Sequence, residues 1–376
     1  MSYILIISIS LYISIFGYLL LNYDRKTKEK KDKSELNLIS VLIPFRNEAK
    51  RINTILNSIK NHRTDKNIII EYIFIDDHSS DDSVEIISKT LGNFDNFKIL
   101  KLSDTWGKKA ALEEGIKIAK GEIIIHTDAD IEFSESWIYT HWEAHKDKTL
   151  KLLCGGVSSF GESSLFSRMQ IIELNSLLTS SYICLKAGKP TMCNGANLSY
   201  KADIKQVVID SFKEIKSASG DDIFLLFKIK KIFEAKSIDF LTDEKSVVST
   251  PVHEKLSELF GQRHRWIKKS SEYKSIFVLL FSFSVLMGNL ALFLSWIYLF
   301  MSNFSLWSIA LALLIFILKF SVDYMLWQKS KTKFNLRYKK IKIADLIVLE
   351  FLYPIFTICL AFYSIFATNM WKGRRI

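Results

Sequence analysis

The stretch EIIIHTDADIEF, residues 122 to 133, runs a β-prone apolar segment into two aspartates, Asp128 and Asp130, spaced one apart. On an extended backbone, positions i and i+2 point to the same side. Two carboxylates crowded on one side repel each other unless a cation sits between them. Hard carboxylate oxygens suit Mg2+ or Mn2+. The other reading of a lone D-x-D is a solvated turn after a strand, so its meaning depends on whether the rest of the chain needs a cation there. A second reactive-looking segment is GQRHRWIKKS, residues 261 to 270. An arginine fork binds phosphate oxygens bidentately, and a tryptophan offers a flat stacking surface for a pyranose. Arg263 and Arg265 stand i, i+2, so on a straight helix they do not share a face.

The elements that must hold these residues alternate. LISVLIPF and IIIEYIFID read as short, β-branched strands, and EAKRINTILNSIKNH and SDDSVEIISKTLG as the helices between them. Ser80 or Asp81 is the expected N-cap of the second helix and Gly92 its stop. FKILKL, GKKAALEEGIKIAKG and EIIIHTD continue the series up to residue 128. Strands separated by helices of this length predict a parallel α/β sheet buried on both faces. Ligands of such sheets bind beyond the carboxyl ends of the strands. FRNE, DDHSSDD and DAD stand at three of those ends and predict a nucleotide-sized cleft. Neither G-x-G-x-x-G nor G-x-x-x-x-G-K-[ST] occurs, which argues against a dinucleotide fold and a P-loop ATPase.

The 376 residues are 49% hydrophobic and 24% charged, which predicts a polar part joined to an apolar one. Residues 1–22 carry no charge and would span roughly 33 Å as a helix. They lack a basic start and a cleavage site, so a retained anchor is expected rather than a signal peptide. Residues 276–301 and 305–322 form two further runs, with Lys319 near the end of the second and able to snorkel. Residues 346–367 carry Glu350 and Pro354, which predict a kinked, tilted or partly re-entrant segment. Lys and Arg cluster after the first run (the linker 23–37), before the second and in the loop 328–342. That distribution places residues 23–275 in the cytoplasm of an integral membrane protein, in the bacterial inner membrane. The terminal WKGRR counts against a full fourth crossing. The net charge of +11 predicts anionic partners, and the juxtamembrane basic runs assign much of it to lipid headgroups rather than nucleic acid. Cys154, Cys184, Cys193 and Cys359 form no C-x-x-C or metal-ligand spacing and read as unpaired thiols in a reducing compartment.

VLIPFRNEA, IFIDDHSSDDS, GKKAALEEG, HTDAD, NGANLSY, GDD and QRHRW occur in the order and rough spacing of the family 2 glycosyltransferases. The chain most resembles their membrane-bound branch, which includes cellulose, chitin and hyaluronan synthases and ceramide glucosyltransferase. The resemblance covers residues 38 to about 270. It implies a GT-A-like nucleotide-sugar-binding domain, residues 38–253, between one N-terminal and about three C-terminal transmembrane helices. An interfacial QRxRW helix, 254–275, would join the two. It implies a divalent cation at Asp128 and Asp130, with Asp130 the more direct ligand, neutralising the diphosphate of the donor. Asp77 and its neighbour Asp76 would read the nucleobase, with helix capping as the alternative; Lys108 would lie near the nucleotide, with a surface charge as the alternative, and Asp128 would contact the nucleotide as well. Glu113 stands where the motif usually has Asn, so no role is carried to it. Asp222 would be the general base and Asp221 the helix cap. Gln262, Arg265 and Trp266, with Arg263, would contact diphosphate and acceptor, His264 filling an incidental slot. Asn194 and Gly195 would line the acceptor pocket.

The expected activity is therefore metal-dependent, inverting transfer of a sugar from a nucleotide donor, UDP-linked, to a lipid or saccharide acceptor at the membrane. The alternatives are a processive polysaccharide synthase, with or without partner subunits, and an inactive scaffold of an export complex. The scaffold reading predicts a lost metal, base or QRxRW position, and none is lost. The apolar helical run 164–185 is read either as a membrane-facing segment or as a core helix.

Overall fold

The computed structural model describes residues 1–23, 37–63, 68–161, 163–214, 220–233, 235–270, 275–336, 338, 340–367, 370–371 and 374–375. Most of the basic linker 23–37 lies outside them. The β-branched runs form strands β1 (Leu38–Phe45), β2 (Ile69–Asp76), β3 (Phe97–Lys101) and β4 (Ile123–His126). They lie side by side and parallel in the order β3-β2-β1-β4. Helices α2 (Asn53–Asn61), α3 (Ser83–Leu91) and α4 (Lys108–Ile118) connect them. The sheet is mixed rather than purely parallel. Beyond β4 come β7 (Leu198–Lys201), β5 (Leu152–Cys154) and β8 (Ile238–Phe240), with β7 antiparallel to both of its neighbours. A small parallel pair, β6 (Val157–Phe160) with β9 (Val248–Pro251), flanks them.

Both faces of the strands are buried because side chains alternate. Ile39, Val41 and Ile43 point into one core, shared with α2, α3 and α5 (Trp137–His145). Leu42, Ile73, Ile75 and Ile124 point into a second core, which continues without a break into the apolar helices α1 (Ser2–Asn22), α10 (Ile276–Met301) and α11 (Leu306–Lys333). Leu5, Phe16, Leu292 and Ile315 of those helices are at most 2% exposed in the same cluster. At about 1.5–3 kcal/mol per fully buried large aliphatic side chain, this shared core is what fixes the sheet to the bundle. The joint is α6 (Leu165–Lys186), the run 164–185, which packs against β6 and β8 on one side and α1, α11 and α12 (Ile343–Phe366) on the other. It is a core helix.

Several local expectations change. The first connecting helix starts at Asn53, not Glu48, because residues 49–52 form turns after Asn47 takes a left-handed conformation (φ 51°). The N-cap of α3 is Asp82; Asp81 instead accepts from the Ala49 and Ser83 amides. Among the described residues four helices, α1, α10, α11 and α12, are long and apolar enough to cross a membrane. The third runs on to Lys333 rather than ending at 322, so Lys319 sits mid-helix, 2% exposed, and cannot snorkel. Its ammonium donates to Asp323 (2.6 Å) and to Glu350 of α12 (2.8 Å), and Tyr12 of α1 donates to Asp323 (2.6 Å). Buried charge in apolar surroundings persists only when paired in this way. The fourth segment is an uninterrupted helix with Pro354 inside it. Pro354 costs one hydrogen bond, to the Glu350 carbonyl four residues earlier. Met370–Trp371 pairs antiparallel with Arg374–Arg375.

Candidate functional site

The carboxyl ends of β2, β1 and β4 lie side by side, in register at Phe45↔Asp76 and Leu42↔His126. The polar loops of the sequence therefore share one edge. β4 stops at His126, and residues 129–130 form a turn. Asp128 and Asp130 are thus delivered by a turn beyond the strand rather than by extended backbone, and both line a cleft of about 260 Å3. Asp128 Oδ1 accepts from the Lys108 ammonium at 2.5 Å, and Asp130 Oδ2 stands 3.8 Å from the Arg51 guanidinium. Lys108 is placed by Gly107, whose φ of +93° starts α4 and disfavours any side chain there. The Asp128 carboxylate, with Asp221 and Asp222 nearby, raises the Lys108 pKa against the opposing effect of burial. His126, buried and bonded to Tyr200 (2.9 Å), is pushed down to about 3 by desolvation and by Lys108, so it is neutral at pH 7.

Antiparallel pairing of β4 with β7 brings the turn before β7 beside the D-x-D turn, and Thr127 Oγ1 donates to the Ala196 carbonyl at 2.9 Å. Asn194 Oδ1 accepts from the Ala196 amide (3.0 Å), and the Gly195 amide donates to Asp222 Oδ2 (3.0 Å). Asp221 and Asp222 are the first two residues of α8 (Asp221–Phe233), so neither is the cap; the Gly220 carbonyl begins the helix ladder by accepting from the Phe224 amide. Burial raises the Asp222 pKa above the ordinary carboxylate range, assisted by Asp221 and opposed by Lys269, Lys108 and the Gly195 amide.

Helix α9 (Leu256–Ser270) closes the cleft, and Gln262, Arg263, Arg265, Trp266 and Lys269 all line it. The two arginines of QRxRW do different things. Arg263 is 6% exposed and bidentate on Glu173 of α6, through Nε (3.0 Å) and Nη2 (2.7 Å). Its Nη1 donates to Gln262 Oε1, and the guanidinium lies 4.2 Å from the Trp266 ring centre. Arg263 is therefore committed inside the chain, orienting Gln262 and Trp266 rather than offering its fork to a diphosphate. Burial lowers the pKa of Arg265. His264 is not incidental: it is 2% exposed, its ring edge-on to Tyr363 of α12.

Asp76 and Asp77 are buried at the neighbouring strand end and are not part of the cleft wall. Asp76 Oδ1 accepts from the Ser79 amide (2.9 Å), shaping the turn before α3, and Asp77 Oδ1 meets the His78 ring (3.2 Å), which stacks on Trp106. Residues to which the sequence assigns no role at the site are Arg51, Glu173, Lys269 and Asn197. Asn197 receives Trp137 and His141 on Oδ1 and donates to the Gly156 and Ser246 carbonyls, so it holds the turn containing Asn194 and Gly195. Glu173 had a signal, a lone acid within an apolar helical run. Cys193 is buried, its thiol raised by desolvation, which makes it packing.

Residues 40–207 match the model of "Glycosyl transferase family 2". This segment is a family 2 glycosyltransferase domain. The chain is 27% identical over 258 residues to poly-β-1,6-N-acetyl-D-glucosamine synthase of Staphylococcus aureus, covering 67% of this chain and 59% of that protein. It is 31% identical over 158 residues to the synthase of the same name from Staphylococcus epidermidis, 42% of this chain and 37% of the other. The matches thus span 59% and 37% of the length of these curated relatives, less than two thirds in both cases. Among solved structures, a mannosyltransferase of Pyrobaculum calidifontis, solved with GDP-mannose and Mn2+, superposes with a TM-score of 0.54 at 16% identity, over 96% of this chain and 99% of that one. That likeness covers the GT-A sheet and the apolar helices together.

Proposed function

We propose that this protein is a membrane-embedded, inverting glycosyltransferase that moves a sugar from a nucleotide-diphosphate donor to a hydroxyl of a lipid or saccharide acceptor. The observation that carries the proposal is the position of Asp222. Its carboxylate lines the charged cleft that holds Asp128, Asp130, Lys108 and Arg265, and also an adjoining cavity on the other side. The acceptor hydroxyl gives its proton to Asp222 as its oxygen bonds to the anomeric carbon. The bond from that carbon to the diphosphate breaks on the opposite face, and the diphosphate leaves with the electron pair. Configuration inverts, and the proton is transferred only as the new bond forms. Lys108 and Arg265 oppose the charge that develops on the leaving group. The Gly195 amide, donating to Oδ2, holds the carboxylate in place.

Asp128 and Asp130 would hold Mg2+ or Mn2+. The donor set fits: two hard oxygen ligands suit a divalent cation that also takes diphosphate oxygens and water. Lys108 and Arg51 already place positive charge against the same two carboxylates. The bound metal would neutralise the leaving diphosphate as a Lewis acid.

The relatives' names support an N-acetylhexosaminyl donor, UDP-linked, and a second reading, processive polysaccharide synthesis with or without partner subunits. The Lys and Arg distribution supports a cytoplasmic catalytic domain, in a bacterial inner membrane. The test is nucleotide release by the purified full chain, offered UDP- and GDP-sugars with Mg2+ or Mn2+ and a membrane lipid extract. Metal-dependent release of one nucleotide, lost in Asp222→Asn, is expected. Equal release by the variant would exclude Asp222 as the base, and no nucleotide binding would exclude the transferase reading.

A further inference from the structure

On the far side of Asp222 and Trp266 from the charged cleft lies a cavity of about 230 Å3. Its chemistry is opposite to that of the cleft. Leu174, Leu177 and Leu178 of α6 form one wall, and Val278 and Phe281 of α10 another. Among the described residues of its lining, only Asp222 and Lys269 carry charge. Of the polar side chains on the wall, Ser181 already donates to the Leu177 carbonyl (2.8 Å), Asn194 Oδ1 is taken by the Ala196 amide (3.0 Å), and the buried Thr191 hydroxyl is left without a bond. A glycan seated there would lose water from its hydroxyls with few partners in exchange. An alkyl chain would lose nothing and would bury its surface.

The cavity also reaches the outer surface of the bundle. Ser282 of α10 lines it and is itself exposed. Its helical neighbours Leu279 and Phe283 are 53% and 50% exposed, an apolar surface on a helix long enough to cross a membrane. The opening at Ser282 therefore faces the side of α10 that lipid would touch. We infer that the acceptor is a hydroxyl-bearing lipid whose apolar chain lies between α6 and α10, entering laterally from the bilayer past Ser282, with its hydroxyl at Asp222. The inference rests on the transferase reading and narrows its acceptor class. It departs from what the names of the curated relatives suggest, a glycan.

The experiment uses the full chain in nanodiscs with UDP-N-acetylglucosamine and Mn2+, and two acceptor series: butyl, hexyl and octyl glucosides, and N-acetylglucosamine oligomers of increasing length. Transfer efficiency should rise with the alkyl chain, by up to about fourfold per methylene buried, and stay flat along the oligomer series. Ser282→Trp, which fills the opening, should reduce transfer to the octyl glucoside at least tenfold and flatten the chain-length dependence. Leu279→Trp, on the outward surface of the same helix, controls for a bulky residue in the bundle and should retain it. Efficiency that grows with sugar units and not with methylenes, or an octyl preference that survives Ser282→Trp, would overturn the lipid acceptor while leaving the transferase intact. Nucleotide release that is equal in wild type and Asp222→Asn for every acceptor would overturn both.

Discussion

Glu173 lies on α6, away from the charged cleft, yet it should control the reaction through α9. Its carboxylate accepts two bonds from Arg263, and Tyr353 of α12 donates a third at 3.2 Å. Both side chains of the ion pair are under 10% exposed. Their pairing offsets the desolvation of Arg263, whose pKa is raised by Glu173 against the effect of burial. Glu173→Gln keeps the shape but leaves a buried guanidinium with neutral acceptors alone, the new amide oxygen and Gln262 Oε1. Removing one partner of a buried pair costs about 3–5 kcal/mol, and the retained amide oxygen points to the lower end, about 3 kcal/mol. That energy holds α9, so the ratio of seated to displaced helix falls roughly 150-fold. Because Gln262 and Trp266 take their orientation from Arg263, kcat/KM for nucleotide release should fall by about 10- to 100-fold. A double variant, Glu173→Met with Arg263→Met, separates positioning from folding. Apolar replacement of a buried pair is commonly neutral for stability, so thermal stability should return while kcat stays low. A Glu173→Gln protein with kcat/KM within twofold of wild type, or a double variant that regains full kcat, would refute the positioning role.

Three further outcomes are expected. The raised pKa of Asp222 places the acid limb of the kcat–pH profile above the ordinary carboxylate range, since the base works only when ionised. By the same shift, the folded state holds that proton more tightly than the unfolded chain. The resulting stability is present below about pH 4 and is lost as pH rises through the folded pKa. Asp222→Asn should therefore be inactive yet melt higher than wild type at pH 7, with the gap closing near pH 3.5; equal melting at both pH values would contradict the shift. Lys319→Met strands Asp323 and Glu350 inside the helical bundle and should cost about 3–5 kcal/mol, read by thermal unfolding in nanodiscs. Gly288→Val should loosen α1, because even a Cβ at Gly288 would stand 2.8 Å from the Tyr12 ring; overpacking there costs about 1–3 kcal/mol, read by protease sensitivity of α1.

The sequence by itself determined a parallel sheet of strands with helices between them, the apolar segments, and the residues that stand at the strand ends; the order β3-β2-β1-β4 came from the structure. Continuous β-branched apolar runs, helix-length spacers and uncharged stretches are local properties, and the motifs sit at strand ends because the sheet's connections require it. Even the separation of Arg263 from Arg265 followed from i, i+2 spacing on a helix. What tertiary structure decided is which partner each charge meets. Lys319 looked like a snorkelling lysine until α11 ran past it and α12 brought Glu350 alongside. Arg263 looked like a phosphate ligand until α6, 90 residues away in sequence, presented Glu173. Antiparallel β7 and helix α8 joined Asn194, Gly195 and Asp222 to the D-x-D turn, and α6 and α10 together made the apolar cavity. These pairings depend on the packing of elements far apart in the chain. Spacing within one element does not encode them, because it fixes the direction of a side chain on that element but not what the fold places opposite it.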